Sequence, residues 1–267
     1  MRHRKKIFIA VVFLVLCIAC AGMIINFKKA PNPCFDIDEP APKWVKKDLD
    51  GFTDDFNSVH PRWNFGDIER SGYHRLVKTA GISAAEIGID PVDQYGDSDC
   101  SFEEIHLLRR AGVLSMRVKH SEKTEDFKAG TLGFGLWNNR DGYHYDAVWF
   151  VAFSKSSSPG LYGLSVVVLE KSAILFRKVI SVDISQWHDY SIRITATDVI
   201  FSVDGQPVAR AEGVHAAKSC KAIVAWVDNK AVNLYKNSHK IEFIPVAKRS
   251  FMLLDRISWQ PDDYDDK

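Results

Sequence analysis

Tryptophan set beside asparagine or aspartate at the end of an apolar strand is the pattern in this sequence best suited to chemistry. An indole face packs against the C–H groups of a ring ligand, while a neighbouring amide or carboxylate hydrogen-bonds its hydroxyls. Three segments carry the pattern. Trp137, Asn138 and Asn139 close the run 131–137 (TLGFGLW), where Gly133 and Gly135 leave room for a backbone or a ligand to approach closely. Tyr145 leads into Trp149. Trp226 and Asp228 stand two apart in a run of strand-forming residues and so share one face, with Asn229 at the strand end. The candidate ligand-binding set is therefore Trp137, Asn138, Asn139, Tyr145, Trp149, Trp226, Asp228 and Asn229. Core packing competes with this reading, most strongly for Trp149 in its apolar run AVWFVAF. Trp187 and Trp259 are assigned to the core and His188 to a structural hydrogen bond.

Bond-breaking chemistry finds less support. Cleavage of a glycosidic bond with retention needs two carboxyls about 5–5.5 Å apart, which on a strand means two acids on one face. Glu103 and Glu104 are adjacent and in a strand point to opposite faces. Asp141 and Asp146 flank a turn, Glu170, Asp228 and Glu242 are isolated, and Glu122, Glu125 and Asp126 share a charged loop. No catalytic residue is assigned. No Gly-x-Ser-x-Gly elbow is present, the glycines 130, 133 and 135 lack the lysine and helix of a phosphate loop, and no Cys/His spacing suggests zinc.

The elements that must position these side chains are strands. The chain has 267 residues, 46% hydrophobic and 26% charged, an ordinary globular balance that excludes disordered, collagen-like and disulfide-dense classes. Residues 113–120, 131–137, 147–153 and 164–170 read as strands, 174–184 as one or two more, and 222–227 and 251–259 complete the set. The plainest local signal is 190–212, where Tyr190, Ile192 and Ile194 alternate with polar residues. Val199, Phe201 and Val203 alternate in turn, and Asp204-Gly205 makes a hairpin turn before 208–211. Helical spacing is confined to 102–111, which reads equally as an irregular strand. Many strands at regular spacing predict an all-β sandwich or jelly roll.

The N-terminus predicts the compartment. Residues 2–6 are basic, and Ile7 to Ile25 run 19 residues without a charge, about 28 Å as a helix against a roughly 30 Å hydrocarbon layer. Basic residues ahead of the span keep that end cytoplasmic. We read residues 1–27 as an uncleaved signal-anchor helix, with a lipoprotein signal at Cys20 or a cleaved signal as alternatives. All of these export the remainder. Residues 28–48 are a Pro-rich linker, 49–262 the domain and 263–267 an acidic tail. Without the six basic residues of 1–29, the chain keeps 29 basic against 34 acidic residues, a net of −5, and carries no basic stripe for nucleic acid. Cys34, Cys100 and Cys220 lie outside the apolar run; Cys100 with Cys220 is the first pairing to consider, and buried free thiols are the alternative.

Several segments resemble the concanavalin A-like lectin/glucanase superfamily. Phe52-Thr53-Asp54-Asp55-Phe56-Asn57 resembles its opening strand. Trp187-His188-Asp189-Tyr190 with Phe201-Ser202-Val203-Asp204-Gly205 is similar to a late hairpin of glycoside hydrolase family 16, and Leu254-Asp255-Arg256-Ile257-Ser258-Trp259 to its last strand. The resemblance spans about residues 51–260 and implies a two-sheet antiparallel jelly roll whose concave face holds glycans. The family's catalytic strand, Glu-x-Asp-x-x-Glu or one residue longer, has no counterpart in this sequence. The resemblance also allows one structural Ca²⁺ between first and last strands, at Asp54, Asp55 and Asp255; no other cofactor is expected. The expected function is an extracytoplasmic, membrane-anchored domain that binds polysaccharide or glycan without cleaving it. A hydrolase with relocated acids (Glu103, Glu104 or Asp228) and a structural or protein-binding ectodomain are the alternatives.

Overall fold

The computed structural model describes residues 51–58, 63–65, 71–79, 81–93, 99–104, 111–128, 130–139, 145–154, 163–216, 222–231 and 242–262. By contacts the chain divides into Met1–Pro33 and Cys34–Lys267; all described residues belong to the second unit. The expected anchor helix and Pro-rich linker, Cys34, Cys220 and the acidic tail lie outside the described residues. Among those described, no helix is long and apolar enough to cross a membrane.

Strands make up the domain. In chain order they are β1 (Phe52–Asp54), β2 (Trp63–Asn64), β3 (Gly72–Thr79), β4 (Ile82–Ile89), β5 (Asp99–Glu104) and β6 (Gly112–His120). Then come β7 (Thr131–Asn139), β8 (Tyr145–Phe153), β9 (Gly163–Glu170), β10 (Ala173–Ile180) and β11 (His188–Ile194). The last are β12 (Val199–Val203), β13 (Gln206–Ala211), β14 (Ala222–Asp228), β15 (Lys230–Ala231), β16 (Glu242–Phe243) and β17 (Ser250–Pro261). One sheet runs β13-β12-β11-β6-β17-β4-β3, with β1 paired to the end of β17; the second runs β10-β9-β8-β7-β14-β5-β2, and β15 pairs with β16. Each of these pairings is antiparallel. This is the expected two-sheet jelly-roll sandwich. The ambiguous segment 102–111 opens as strand β5, and 174–184 yields the single strand β10. The β3–β4 hairpin has no individual signal in the sequence, because its first strand mixes polar and apolar residues and is largely exposed and its second interrupts its isoleucines with Ala, Gly and Glu.

Alternation explains the first sheet. In β6, Leu114, Met116, Val118 and His120 are buried while Val113, Ser115, Arg117 and Lys119 are partly exposed. The inner faces meet in a ring cluster. Phe150 lies 5.4 Å from Phe134, 5.0 Å from Tyr190 and 5.3 Å from Phe201, so rings of β7 and β8 interlock with those of β11 and β12. Trp259 is fully buried in this core, whereas Trp187 is half-buried under the Arg117 guanidinium, 5.7 Å from its ring.

The β12–β13 turn shows how local chemistry fixes register. Asp204 and Gly205 take φ of 49° and 76°, the pair of positive values a two-residue type I′ hairpin needs. The Asp204 carboxylate accepts the Asp189 N–H at 2.9 Å and a bond from His188 Nδ1 at 2.7 Å, and His188 Nε2 reaches the Asp183 carbonyl at 3.1 Å. The hydrogen bond from His188, then that from Asp189, holds the Asp204 carboxyl below its ordinary range. Asp204→Ala removes both bonds and places a Cβ residue without turn chemistry at positive φ. We expect it to lower stability by about 1–2 kcal/mol; an unchanged urea midpoint would refute this role.

Candidate functional site

The second sheet is apolar on both sides. Leu132, Phe134 and Leu136 of β7, Val148, Phe150 and Ala152 of β8, and Ile223, Ala225 and Val227 of β14 face the core. Their alternates form a separate cluster on the outer face: Ala147, Val151, Phe153, Val167 and Leu169, with Trp137, Trp149, Trp226 and Ile174 packed against it. Near-continuous runs such as AVWFVAF and LSVVVLE are what a strand buried on both faces requires.

Register sets out this outer face in rows. Trp226 of β14 pairs with Gly133 of β7, which pairs with Val151 of β8, itself opposite Ser165 of β9. The next row runs Val224, Gly135, Trp149 and Val167, and the one beyond it Ala222, Trp137, Ala147 and Leu169. The three half-buried indoles of Trp137, Trp149 and Trp226 thus belong to one face of one sheet. Trp149 and Trp226 touch edge to face, with centroids 5.0 Å apart and planes at 62°.

Trp226 is held from two sides. Its indole N–H donates to Thr131 Oγ1 at 2.9 Å, and that hydroxyl donates onward to Asp228, 2.9 Å from either carboxylate oxygen. Its six-membered ring passes over Gly133: a Cβ there would stand 2.8 Å from Cζ3 and closer still to Cη2 and Cζ2. The space that Gly133 opens, which the sequence offers as room for close approach, is filled by Trp226. Thr131 had no sequence signal beyond its strand position, since its role appears only when β7 and β14 are paired.

Asp228 is a structural carboxylate. It is 5% exposed, accepts the Thr131 N–H at 2.8 Å and the Lys230 N–H at 3.0 Å, and ties the β14 end to β7 and to the start of β15. Asn229 is fully buried and donates through Nδ2 to the Ile244 carbonyl at 3.3 Å. Asn138 shares the parity of Leu136, not that of Trp137; it is 5% exposed, and its Nδ2 is buried with no hydrogen-bond partner among the described residues. The side chains of Asn139 and Tyr145 are outside the described residues. Of the eight candidates, Trp137, Trp149, Trp226 and Asp228 therefore share the outer face, while Asn138 and Asn229 turn away from it.

Other carboxylates are occupied. Glu86, buried on the outer face of the first sheet, accepts from the Tyr73 hydroxyl at 2.9 Å and from Arg75 Nη2 at 2.8 Å. Asp54 accepts the Phe56 N–H at 2.8 Å and the Trp63 indole N–H at 2.7 Å, and Asp255 pairs with Arg117 at 3.6 Å. Among the described residues no three His, Cys, Asp or Glu side chains gather as a metal site. Glu103 pairs in register with Val224, and Glu104 with Trp63.

Comparison with solved structures gives the architecture a family likeness. A beta-glucanase of Bacillus licheniformis superposes with a TM-score of 0.59 at 13% identity, covering 80% of this chain and 99% of its own. The fold is that of the family 16 jelly rolls. A beta-1,3-1,4-glucanase (lichenase) from a mouse hindgut metagenome gives 0.55 at 14% identity, over 80% and 100% of the two chains. A glycoside hydrolase family 16 endo-glucanase from Bacteroides ovatus gives 0.54 at 10% identity, over 78% and 99%. At such identities the likeness is one of fold. No family profile and no curated protein matches the sequence.

Proposed function

We propose that residues 49–262 are a glycan-binding domain of the family 16 fold that retains carbohydrate without hydrolysing it, displayed outside the cell by the N-terminal segment 1–27. The observation that carries this reading is the make-up of the outer face. Three half-buried tryptophans lie on it; Asp228, the acid among the outward positions of β7, β8, β9 and β14, is already engaged by three donors, and on β5 Asp99 and Glu103 take the register positions opposite Asp228 and Val224. Retaining hydrolysis needs a nucleophile and an acid on that surface, whereas stacking on a sugar needs only aromatic faces. Several neighbours act on carbohydrate, among them a kappa-carrageenase seen with an oligotetrasaccharide of kappa-carrageenan; that supports glycan as the ligand class. Basic residues 2–6 before an uncharged 19-residue run support the anchor.

Trp137→Ala is the direct test, because Trp137 packs against the outer cluster without belonging to the central core. We expect about tenfold weaker retention on an immobilised glycan with a melting temperature nearly that of the wild type. Collapse of the fold would instead make Trp137 a structural residue and remove it from the site.

A second reading has its own support. Ala147, Val151, Phe153, Val167 and Leu169 are all 3% exposed or less, so the floor between the tryptophans is sealed. A sealed floor suits a structural or protein-binding ectodomain. Absence of retention on every glycan tried, with the wild-type domain folded, would favour it.

A further inference from the structure

Resting on the glycan reading, we infer that Thr131 and Gly133 are positioning residues that hold Trp226 as a preset aromatic platform, so that this indole recognises its ligand by stacking and not through its N–H. The relay has a fixed direction. A carboxylate only accepts, so the Thr131 hydroxyl gives its proton to Asp228 and offers its lone pairs to the Trp226 N–H. Asp228 is itself fixed by the backbone N–H groups of Thr131 and Lys230. The indole N–H is thereby consumed within the protein and is not available to a sugar hydroxyl.

Gly133 supplies the second constraint. It is absent from the positive-φ glycines, so an L-residue fits its backbone. What stands nearest to a side chain there is the indole, whose Cζ3, Cζ2 and Cη2 lie within 3 Å of the point a Cβ would occupy. One face of the ring is thus spent on the sheet. The ring stands as a floor, and Trp149, inclined at 62° and 5.0 Å away, makes the adjoining wall. A pyranose ring entering that corner meets the floor with its C–H face. Because the ring is fixed before the ligand arrives, no side-chain entropy is lost on binding.

Two measurements on the domain test this. Indoles so close and so inclined couple their electronic transitions, which gives a paired positive and negative band in far-ultraviolet circular dichroism. Gly133→Ala, which forces the ring off the sheet, and Thr131→Val, which keeps the side-chain shape but removes the acceptor, should each lose at least about half of that couplet while still unfolding cooperatively. Thr131→Ser keeps the hydroxyl and should restore it. Retention on immobilised mixed-linkage β-glucan should fall about tenfold in the first two variants and recover to within about twofold in Thr131→Ser. An undiminished couplet in both Gly133→Ala and Thr131→Val overturns the positioning role, as does full retention without the couplet. If the wild type shows the couplet and its expected losses but is not retained on the glucan, the platform stands and it is that glycan assignment that fails.

Discussion

Replacing Phe150 with alanine should destabilise the domain by about 3–5 kcal/mol, the usual range for truncating a fully buried phenylalanine. The ring is 0% exposed and touches Phe134 of its own sheet together with Tyr190 and Phe201 of the opposite one. It is therefore the place where the two sheets interlock. The cavity left behind is lined by rings from both layers, which cannot collapse without moving strands, so the cost belongs at the high end of the range. Phe150→Leu refills part of the volume and should recover about half of the loss. Its neighbours on β8, Trp149 and Val151, face the opposite way. A destabilised but still folded Phe150→Leu domain should accordingly keep its outer-face properties. Denaturant unfolding reads both variants; a loss below about 1 kcal/mol for Phe150→Ala would mean that the sheets are held together elsewhere.

Acidification should cost almost as much, through His120. This imidazole is 1% exposed at the end of β6. Its Nδ1 accepts the Glu122 N–H at 3.1 Å in the tautomer where Nε2 donates to Ser250 Oγ at 3.2 Å, and Phe127 closes on it edge-on at 5.1 Å. Burial pushes its pKa down from 6.5 to about 4, outweighing the Glu122 carbonyl, which lies 3.1 Å from Nδ1 and favours the charged ring. A histidine whose folded value lies below its unfolded one adds stability above the unfolded value and loses it as the pH falls toward the folded value. Between pH 6.5 and 4 the loss approaches about 3 kcal/mol, at roughly 1.4 kcal/mol per pH unit. Glu122 works in the opposite direction, since partial burial raises its carboxyl and protonation relieves that cost. Asp183, Asp198 and Asp204, all lowered chiefly by side-chain hydrogen bonds, lose stabilisation only at lower pH, as they approach their own range. His120→Gln removes the titration, so its stability should change less than that of the wild type between pH 7 and pH 4.5. Parallel pH profiles for the two proteins would show that His120 does not carry the effect.

Much of this architecture was legible in the sequence because strands announce themselves by alternation. β6, β11 and β12 each bury one face, and their residue patterns show it without any structure. The Asp204-Gly205 turn was equally plain, since few residues other than Gly, Asn and Asp accept its dihedral angles. The β3–β4 hairpin was not legible. Its exposed first strand places Arg75 and Lys78 among apolar residues, and its second buries Glu86 through a pairing with Tyr73 and Arg75 that only the register creates.

The site was legible in part. Aromatic residues beside amides pointed to β7, β8 and β14, whose tryptophans share one face, but parity decides which neighbour shares it, and Asn138 falls one residue out of step with Trp137. Thr131 acquires its role from two residues nearly a hundred positions away, Trp226 and Asp228, a relation that no local window contains. The sealed floor of Ala147, Val151 and Val167 is present in the sequence as nearly continuous apolar runs. Such runs identify strands readily, but they also demand cover on both faces, and only the assembled sheet shows what lies on the outer one.

Whether the domain binds glycan without cleaving it can be decided in one assay. Purified residues 45–267 would be tested for retention on an array of polysaccharides, and each polysaccharide that retains the protein would then be incubated with it and assayed for new reducing ends. We expect retention on at least one glycan with no release of reducing ends above the blank. Release of reducing ends that disappears in Asp228→Asn, while that variant stays folded, would contradict binding without cleavage and make the outer face an active site.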